Sequence, residues 1–237
     1  MNLLLLEAQD LRSPERALIR DERRLTHIRN VLRAGNGSTL TVGLLNGAMG
    51  EGHIVQDNAQ GIEIALSLNG QPPEPLPLTL VLALPRPQQL KRILQTVAGS
   101  GIKQLHLLHS RRVEKSYWQT PALKAEEIER QFTLGLEQAV DTVMPTVHFH
   151  QRFKPFVEDA LPELMSDHLA LVAHPYRAVP CPNQVRRPIL LMVGPEGGFN
   201  DFEISLLEER GVQTVELGPR ILKTETALPF LLGRITR

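Results

Sequence analysis

The chain has 237 residues, 42% of them hydrophobic and 22% charged, with 26 basic and 26 acidic side chains. This is the composition of an ordinary soluble globular protein with one large domain or two small ones, and zero net charge excludes a uniformly basic coat. Cys181 is the single cysteine, which excludes an internal disulfide; between Pro180 and Pro182 it reads as a loop thiol without a role.

Met1 to Leu6 holds four leucines, but it lacks a basic start and is too short for a signal peptide. No apolar run reaches membrane-spanning length, so no membrane is expected. The lone cysteine suggests a reducing, cytoplasmic location. No Cys/His cluster has zinc-ligand spacing, so no metal is expected.

The first predicted helix covers roughly Glu22 to Ala34, capped by Asp21, with Leu25, Ile28 and Leu32 as its apolar stripe and Gly35 closing it. Short β-type runs follow at Gly37 to Leu45, Gly50 to Gln56 and Gly61 to Leu68, separated by Gly- or Asn-containing turns. Such strands suggest a small barrel or curled sheet. Gln71-Pro-Pro-Glu-Pro-Leu-Pro77 has four prolines in seven residues and reads as an extended linker. The expected division is therefore 1–71, a linker at 72–77, and a larger part at 78–237.

The larger part alternates strand and helix. Strands are expected at Leu78 to Leu84, Ile102 to His109, Pro145 to His150, Leu169 to Ala173, Ile189 to Val193 and Val212 to Leu217. Helices are expected at Gln88 to Ala98, Ala122 to Val140, Phe156 to Leu164 and Phe202 to Arg210. A final helix begins at Thr226 or is kinked there, because Pro229 inside a longer helix would remove a backbone donor. This order predicts an α/β fold with a mainly parallel sheet.

Two turns carry the chemistry. Val193-Gly-Pro-Glu-Gly-Gly-Phe199 follows a strand and leads to Asn200, an expected N-cap with Glu203 three residues on, close to a capping box. Its glycines let a ligand approach bare backbone, and free amides at the helix start suit a polar or anionic group. The same glycines also suit a plain tight corner. Leu217-Gly-Pro-Arg-Ile-Leu-Lys-Thr-Glu-Thr-Ala227 mixes Arg220, Lys223 and Glu225 with apolar Ile221 and Leu222. The apolar pair could wall an adenine ring, and Arg220 could meet a phosphate or carboxylate. Two such corners predict a nucleotide-type pocket at the carboxyl edge of the sheet. Arg23, Arg24, Arg29 and Arg33 on the first helix, and Arg111 and Arg112 after a strand, fit contacts to an RNA backbone; they equally fit solvated surfaces. His106, His109, His148 and His150 alternate along strands and read as sheet residues. No nucleophile elbow, P-loop or G-x-G-x-x-G is present.

Together the two turns, with His27-Ile-Arg-Asn-Val-Leu-Arg33 and Lys91-Arg-Ile-Leu-Gln95, resemble the ribosomal RNA small subunit methyltransferase E family of the SPOUT superfamily. The resemblance spans most of the chain. It implies an N-terminal PUA-like β-barrel and a C-terminal α/β domain with a trefoil knot, paired as a homodimer. It implies S-adenosylmethionine bound by Ala173, His174 and Pro175, by Gly194, Pro195, Glu196, Gly197 and Gly198, and by Leu217, Gly218, Ile221, Leu222, Thr226 and Ala227. The implied reaction is methylation of a uridine N3 in 16S rRNA of the small ribosomal subunit. Another RNA such as tRNA is the alternative substrate, and a non-catalytic ribosome-assembly factor the alternative class. Uracil N3 must lose a proton, so Arg220 is expected to steady the anion and Glu196 or Glu225 to accept the proton. The chain departs from the family pattern at Val97-Ala-Gly-Ser-Gly101, at Ala139 to Thr142 and at Met1 to Leu6, changes expected on RNA-facing surfaces.

Overall fold

The computed structural model describes residues 1–236, so only Arg237 of the expected larger part lies outside the described residues. The chain forms two compact units. The first is Met1–Glu74 with Ala98–Gly101 and Phe132–Met144; the second is Pro75–Val97, Ile102–Gln131 and Pro145–Arg237.

The first unit holds β1 (Leu4–Leu6), β2 (Leu11–Ser13), β3 (Arg16–Ile19), β4 (Thr39–Leu44), β5 (Met49–Asn58) and β6 (Gly61–Gly70). They form one sheet in the order β1-β4-β5-β6-β3-β2, antiparallel except for the β1–β4 pair. Register shifts in the long β5–β6 pair insert bulges, which bend and twist a sheet. Leu40 and Val42 point into the core while Thr39 and Thr41 face out, the period-2 pattern of a half-buried strand. The first three strands have three or four residues each, too few for periodicity to reveal them.

The expected first helix is corrected in length. α1 (Glu22–Thr26) passes into a π-helical turn, His27–Val31. Asp21 caps it, accepting from the Arg24 N–H at 2.9 Å. The Leu32 N–H reaches back to His27 O at 2.9 Å, and Arg33, not Gly35, takes the left-handed conformation at φ 53°. The wider turn rotates the last residues off the core face. Leu25 and Ile28 are buried, but Val31 is 64% and Leu32 45% exposed, so Leu32 leaves the predicted stripe.

The departures at the ends of the two long helices fall inside this unit except for Val97, which belongs to the second, and several of them are buried. Glu137, Asp141 and Thr142 are buried, as are Val97 and Ala98. The Glu137 carbonyl accepts from the Asn2 and Leu3 N–H groups at 2.8 and 2.9 Å. Thr142 Oγ1 donates to Gly47 O at 2.7 Å. Met1 to Leu6 is likewise packing material, since Leu3 to Leu6 are all buried.

The second unit is an α/β layer around seven parallel strands: β7 (Leu78–Ala83), β8 (Gln104–Leu108), β9 (Thr146–His150), β10 (Leu169–Ala173), β11 (Val179–Pro180), β12 (Ile189–Val193) and β13 (Gln213–Glu216). Their order is β11-β13-β10-β12-β7-β8-β9. β7 and β12 are buried along their whole length, as strands covered on both faces must be. The helices are α2 (Pro87–Gly99), α3 (Ala125–Ala139), α4 (Phe153–Pro155), α5 (Leu161–Leu164), α6 (Asp201–Glu209) and α7 (Thr224–Ile235), with a π turn joining α4 to α5. α7 begins at Thr224, two residues before the expected start. The Thr226 and Ala227 N–H groups both bond Lys223 O, at 2.9 and 2.7 Å. Pro229 sits inside the helix, so Thr224 and Glu225 are helical and not loop residues. Cys181 is buried, and burial pushes its thiol pKa up, which leaves it an unreactive packing group. Among the described residues no helix is long and apolar enough to cross a membrane.

Candidate active site

Strand register assembles the site. Ala173 of β10 lies level with Val193 of β12 on one side and Val215 of β13 on the other. All three strands are parallel, so the segments leaving them emerge side by side at the carboxyl edge. Between these segments lies a cleft of about 430 Å³.

The first wall is the turn after β12. Gly198 N–H donates to Pro195 O at 2.8 Å, closing the turn, and Gly198 takes φ 70°. A Cβ on Gly194 would lie 3.2 Å from both Gly198 Cα and Phe199 N, so any side chain there presses the turn's backbone apart. Asn200 then caps α6 as expected: its Oδ1 accepts from the Glu203 N–H at 2.8 Å, and its own N–H donates to Glu203 Oε2 at 2.9 Å. Glu203 Oε1 also accepts the Arg111 N–H at 2.7 Å. The buried carboxylate thus ties the segment after β8 to the start of α6. That tie sets Arg112 against the turn, its Nη1 donating to Gly197 O.

The second wall is the segment from β13 to α7. Gly218 turns at φ 118°, its N–H donating to the Glu216 carboxylate. Thr224 Oγ1 donates to Gly194 O at 3.3 Å, holding the start of α7 against the first turn. The third wall is His174 to Tyr176. The His174 N–H donates to Val215 O at 2.9 Å and its ring meets Tyr176 edge-on at 5.8 Å. Burial lowers the His174 pKa and Arg112 adds to the shift, against opposing pulls from Asp201 and Glu208. His174 is therefore neutral near pH 7, and its buried Nδ1 has no hydrogen-bond partner.

A family model described as an RNA methyltransferase domain matches residues 72–236. A ribosomal RNA small subunit methyltransferase E from Synechocystis is 31% identical over 228 residues, 89% of this chain and 70% of that protein. The chain belongs to this family. It is an RNA methyltransferase. A small subunit methyltransferase E from Treponema pallidum is 28% identical over 232 residues, 96% of this chain and 87% of its own length. A methyltransferase E from Neisseria gonorrhoeae, solved bound to S-adenosyl methionine, shares the fold with a TM-score of 0.72 at 24% identity, over 97% of this chain and 94% of that one.

Of the expected cofactor residues in this methyltransferase, Ala173, His174, Pro175, Gly194 to Gly198, Leu217, Gly218, Ile221, Leu222 and Ala227 line the cleft. Thr226 does not; the earlier start of α7 turns it outward. Arg220 and Glu196 line the cleft, and Glu196 Oε1 accepts the Arg86 N–H at 2.9 Å. Glu225 lines a different hollow, on the other side of the first turn of α7. Tyr176, Asp201 and Thr224 line the cleft and were missed, because only the paired strands reveal which neighbours of a loop face inward.

The arginines expected on RNA divide. Arg112 is a cleft residue. Arg24 is buried, its Nη1 and Nη2 donating to Asp10 at 2.7 and 2.9 Å and Nη1 also to Leu5 O at 3.1 Å, so it is a core ion pair and not an RNA contact. Arg23 holds Glu137 bidentately at 2.6 and 2.9 Å, and Arg29 holds Asp57 at 2.6 Å. Arg33 and Arg111 are exposed.

Proposed function

We propose that this chain methylates N3 of a uridine in 16S rRNA of the small ribosomal subunit, with S-adenosylmethionine as donor. The observation that carries the reading is the cleft itself, built in register from three loops at one sheet edge in a member of the methyltransferase E family. Its size falls within the range of small-molecule sites. Its residues fit the cofactor: Val193, Leu217, Ile221 and Leu222 offer apolar contact, bare glycine backbone offers amides, and the unpartnered Nδ1 of His174 awaits a polar group.

Bound there, S-adenosylmethionine supplies an electrophilic methyl on its sulfonium. The protein's part is alignment and charge. Arg220, exposed at the rim, steadies the uracil as N3 loses its proton. Glu196 accepts that proton through the carboxylate whose other contact, to the Arg86 N–H, holds it at the rim. Gly194 to Gly198 and Leu217 to Ala227 hold the cofactor, and Arg112 props the first of these loops.

The reading extends to a SPOUT fold with a trefoil knot, an N-terminal PUA-like part at 1–71 that grips RNA through Arg33 and its neighbours, and a linker at 72–77. Support for the knot is the strand order, in which the chain passes from β12 across β10 to β13 before α7 returns to Gly194. Support for a homodimer is apolar surface beside the cleft: Ile221 is 69% and Phe230 of α7 61% exposed. An rRNA substrate places the enzyme in the cytoplasm.

Mass spectrometry of 16S rRNA from a strain lacking the gene tests the substrate. Loss of one 3-methyluridine, restored by the gene, is expected; its persistence sinks the assignment. Arg220→Ala should abolish turnover while calorimetry finds cofactor binding largely intact.

A further inference from the structure

A second hollow, of about 600 Å³, opens between the start of α2, the segment before α3 and the start of α7. Pro87, Pro121 and Ala122 give it flat apolar walls. Gln88, Gln89, Thr120 and Glu225 add polar groups, and Lys91 and Arg92 add positive charge at an exposed rim. Gln89 Oε1 and Glu225 Oε2 are buried and have no hydrogen-bond partner. Two residues that line the hollow thus carry unpartnered acceptors, which a ligand bringing N–H donors would satisfy.

The hollow adjoins the cofactor cleft. Thr224 lines the cleft while the next residue, Glu225, lines the hollow, so the first turn of α7 is their common wall. At the rim, Glu196 of the cleft holds the N–H of Arg86, the residue before Pro87 of the hollow. The α2 side is fixed in place: Lys91 Nζ lies 2.9 Å from Glu127, which also binds Arg130 and Gln131. These contacts hold the Glu127 pKa down at about 2, chiefly through Arg130 and then Lys91.

We propose that this hollow receives the nucleotide of the RNA substrate that flanks the methylated one. Its base lies against the proline and alanine walls and donates N–H groups to Gln89 and Glu225; its phosphate meets Arg92 and Lys91. Single-stranded RNA is read in this way, by splayed bases held on their hydrogen-bonding edges with cations along the backbone. The hollow would make methylation depend on the sequence beside the target. The inference rests on the reading of the chain as an rRNA methyltransferase.

The test uses Arg92→Ala, Gln89→Leu and the exposed Gln88→Ala, the last serving if Gln89→Leu does not fold. Small ribosomal subunits from a strain lacking the gene are methylated with tritiated S-adenosylmethionine, and cofactor affinity is measured separately by calorimetry. Expected is an unchanged cofactor Kd, a KM for subunits raised about tenfold, as for loss of one base or phosphate contact, and little change in kcat. Arg92→Ala should also flatten the salt dependence of binding by about one phosphate contact. Subunits carrying a changed base beside the target should be methylated poorly by the wild type, and Gln89→Leu should lose that discrimination. Unchanged KM, salt slope and base discrimination in active variants overturn the proposal. If the wild type transfers no methyl to subunits at all, the rRNA reading itself falls and takes the proposal with it.

Discussion

Glu203→Leu removes a buried carboxylate that ties the first cleft wall to the segment carrying Arg112. Its oxygens accept the Asn200 N–H at 2.9 Å and the Arg111 N–H at 2.7 Å. Each part-buried amide left without its charged partner costs about 1–3 kcal/mol, and the added apolar burial returns about 1 kcal/mol, so the net loss is about 1–5 kcal/mol. Glu203→Gln keeps one acceptor oxygen and should lose about half as much. Urea unfolding at pH 7 reads the stability change from the midpoint at constant slope. The same contact fixes the start of α6 against the segment that carries Arg112, so S-adenosylmethionine affinity should fall about tenfold, equivalent to about 1.4 kcal/mol. An unfolding free energy within about 0.5 kcal/mol of the wild type, together with an unchanged cofactor Kd, would refute the reasoning.

Arg24→Ala leaves Asp10 buried without its partner and should cost about 3–5 kcal/mol of stability, read by denaturant unfolding. Arg33→Asn, with a side chain that tolerates the left-handed backbone there, should leave stability nearly unchanged and weaken RNA binding measured by filter retention. Gly194→Ala forces a Cβ to within 3.2 Å of backbone and should cost about 1–3 kcal/mol while weakening cofactor binding in calorimetry. Burial, then His148 and His150, push the His106 pKa down to about 4. The unfolded chain binds that proton first, so this contribution is full above about pH 6.5 and is lost as pH falls toward 4, up to about 3 kcal/mol in all. His106→Asn should flatten the urea midpoint against pH across that window; an unchanged slope would remove His106 as its source.

The parallel sheet was legible because its strands are short runs of continuous apolar residues, such as Ile189 to Val193, which a sheet covered on both faces requires. The Asn200–Glu203 capping box was legible for a similar reason, since both partners lie within one turn. β1 to β3 were not legible, being too short to show a period. The π turn at His27–Val31 was hidden as well, because a change of one residue in hydrogen-bond spacing leaves no mark on composition. That single change decided that Leu32 faces water and that the helix ends at Val31, with Arg33 turning left-handed beyond it.

Local chemistry was thus written in the chain: glycine corners after apolar strands, a cap before a helix, and a proline-rich segment between the expected parts. These depend on residues a few positions apart, whose preferences act before any long-range contact forms. Only the tertiary structure decided which side chains meet. The level pairing of Ala173 with Val193 and Val215 brings together three loops far apart in sequence, and nothing local specifies it. The same long-range packing buried Arg24 on Asp10, drew Arg112 to the cleft, and turned Glu225 toward a hollow of its own. Facing direction is set by what a residue packs against, and that partner lies elsewhere in the chain.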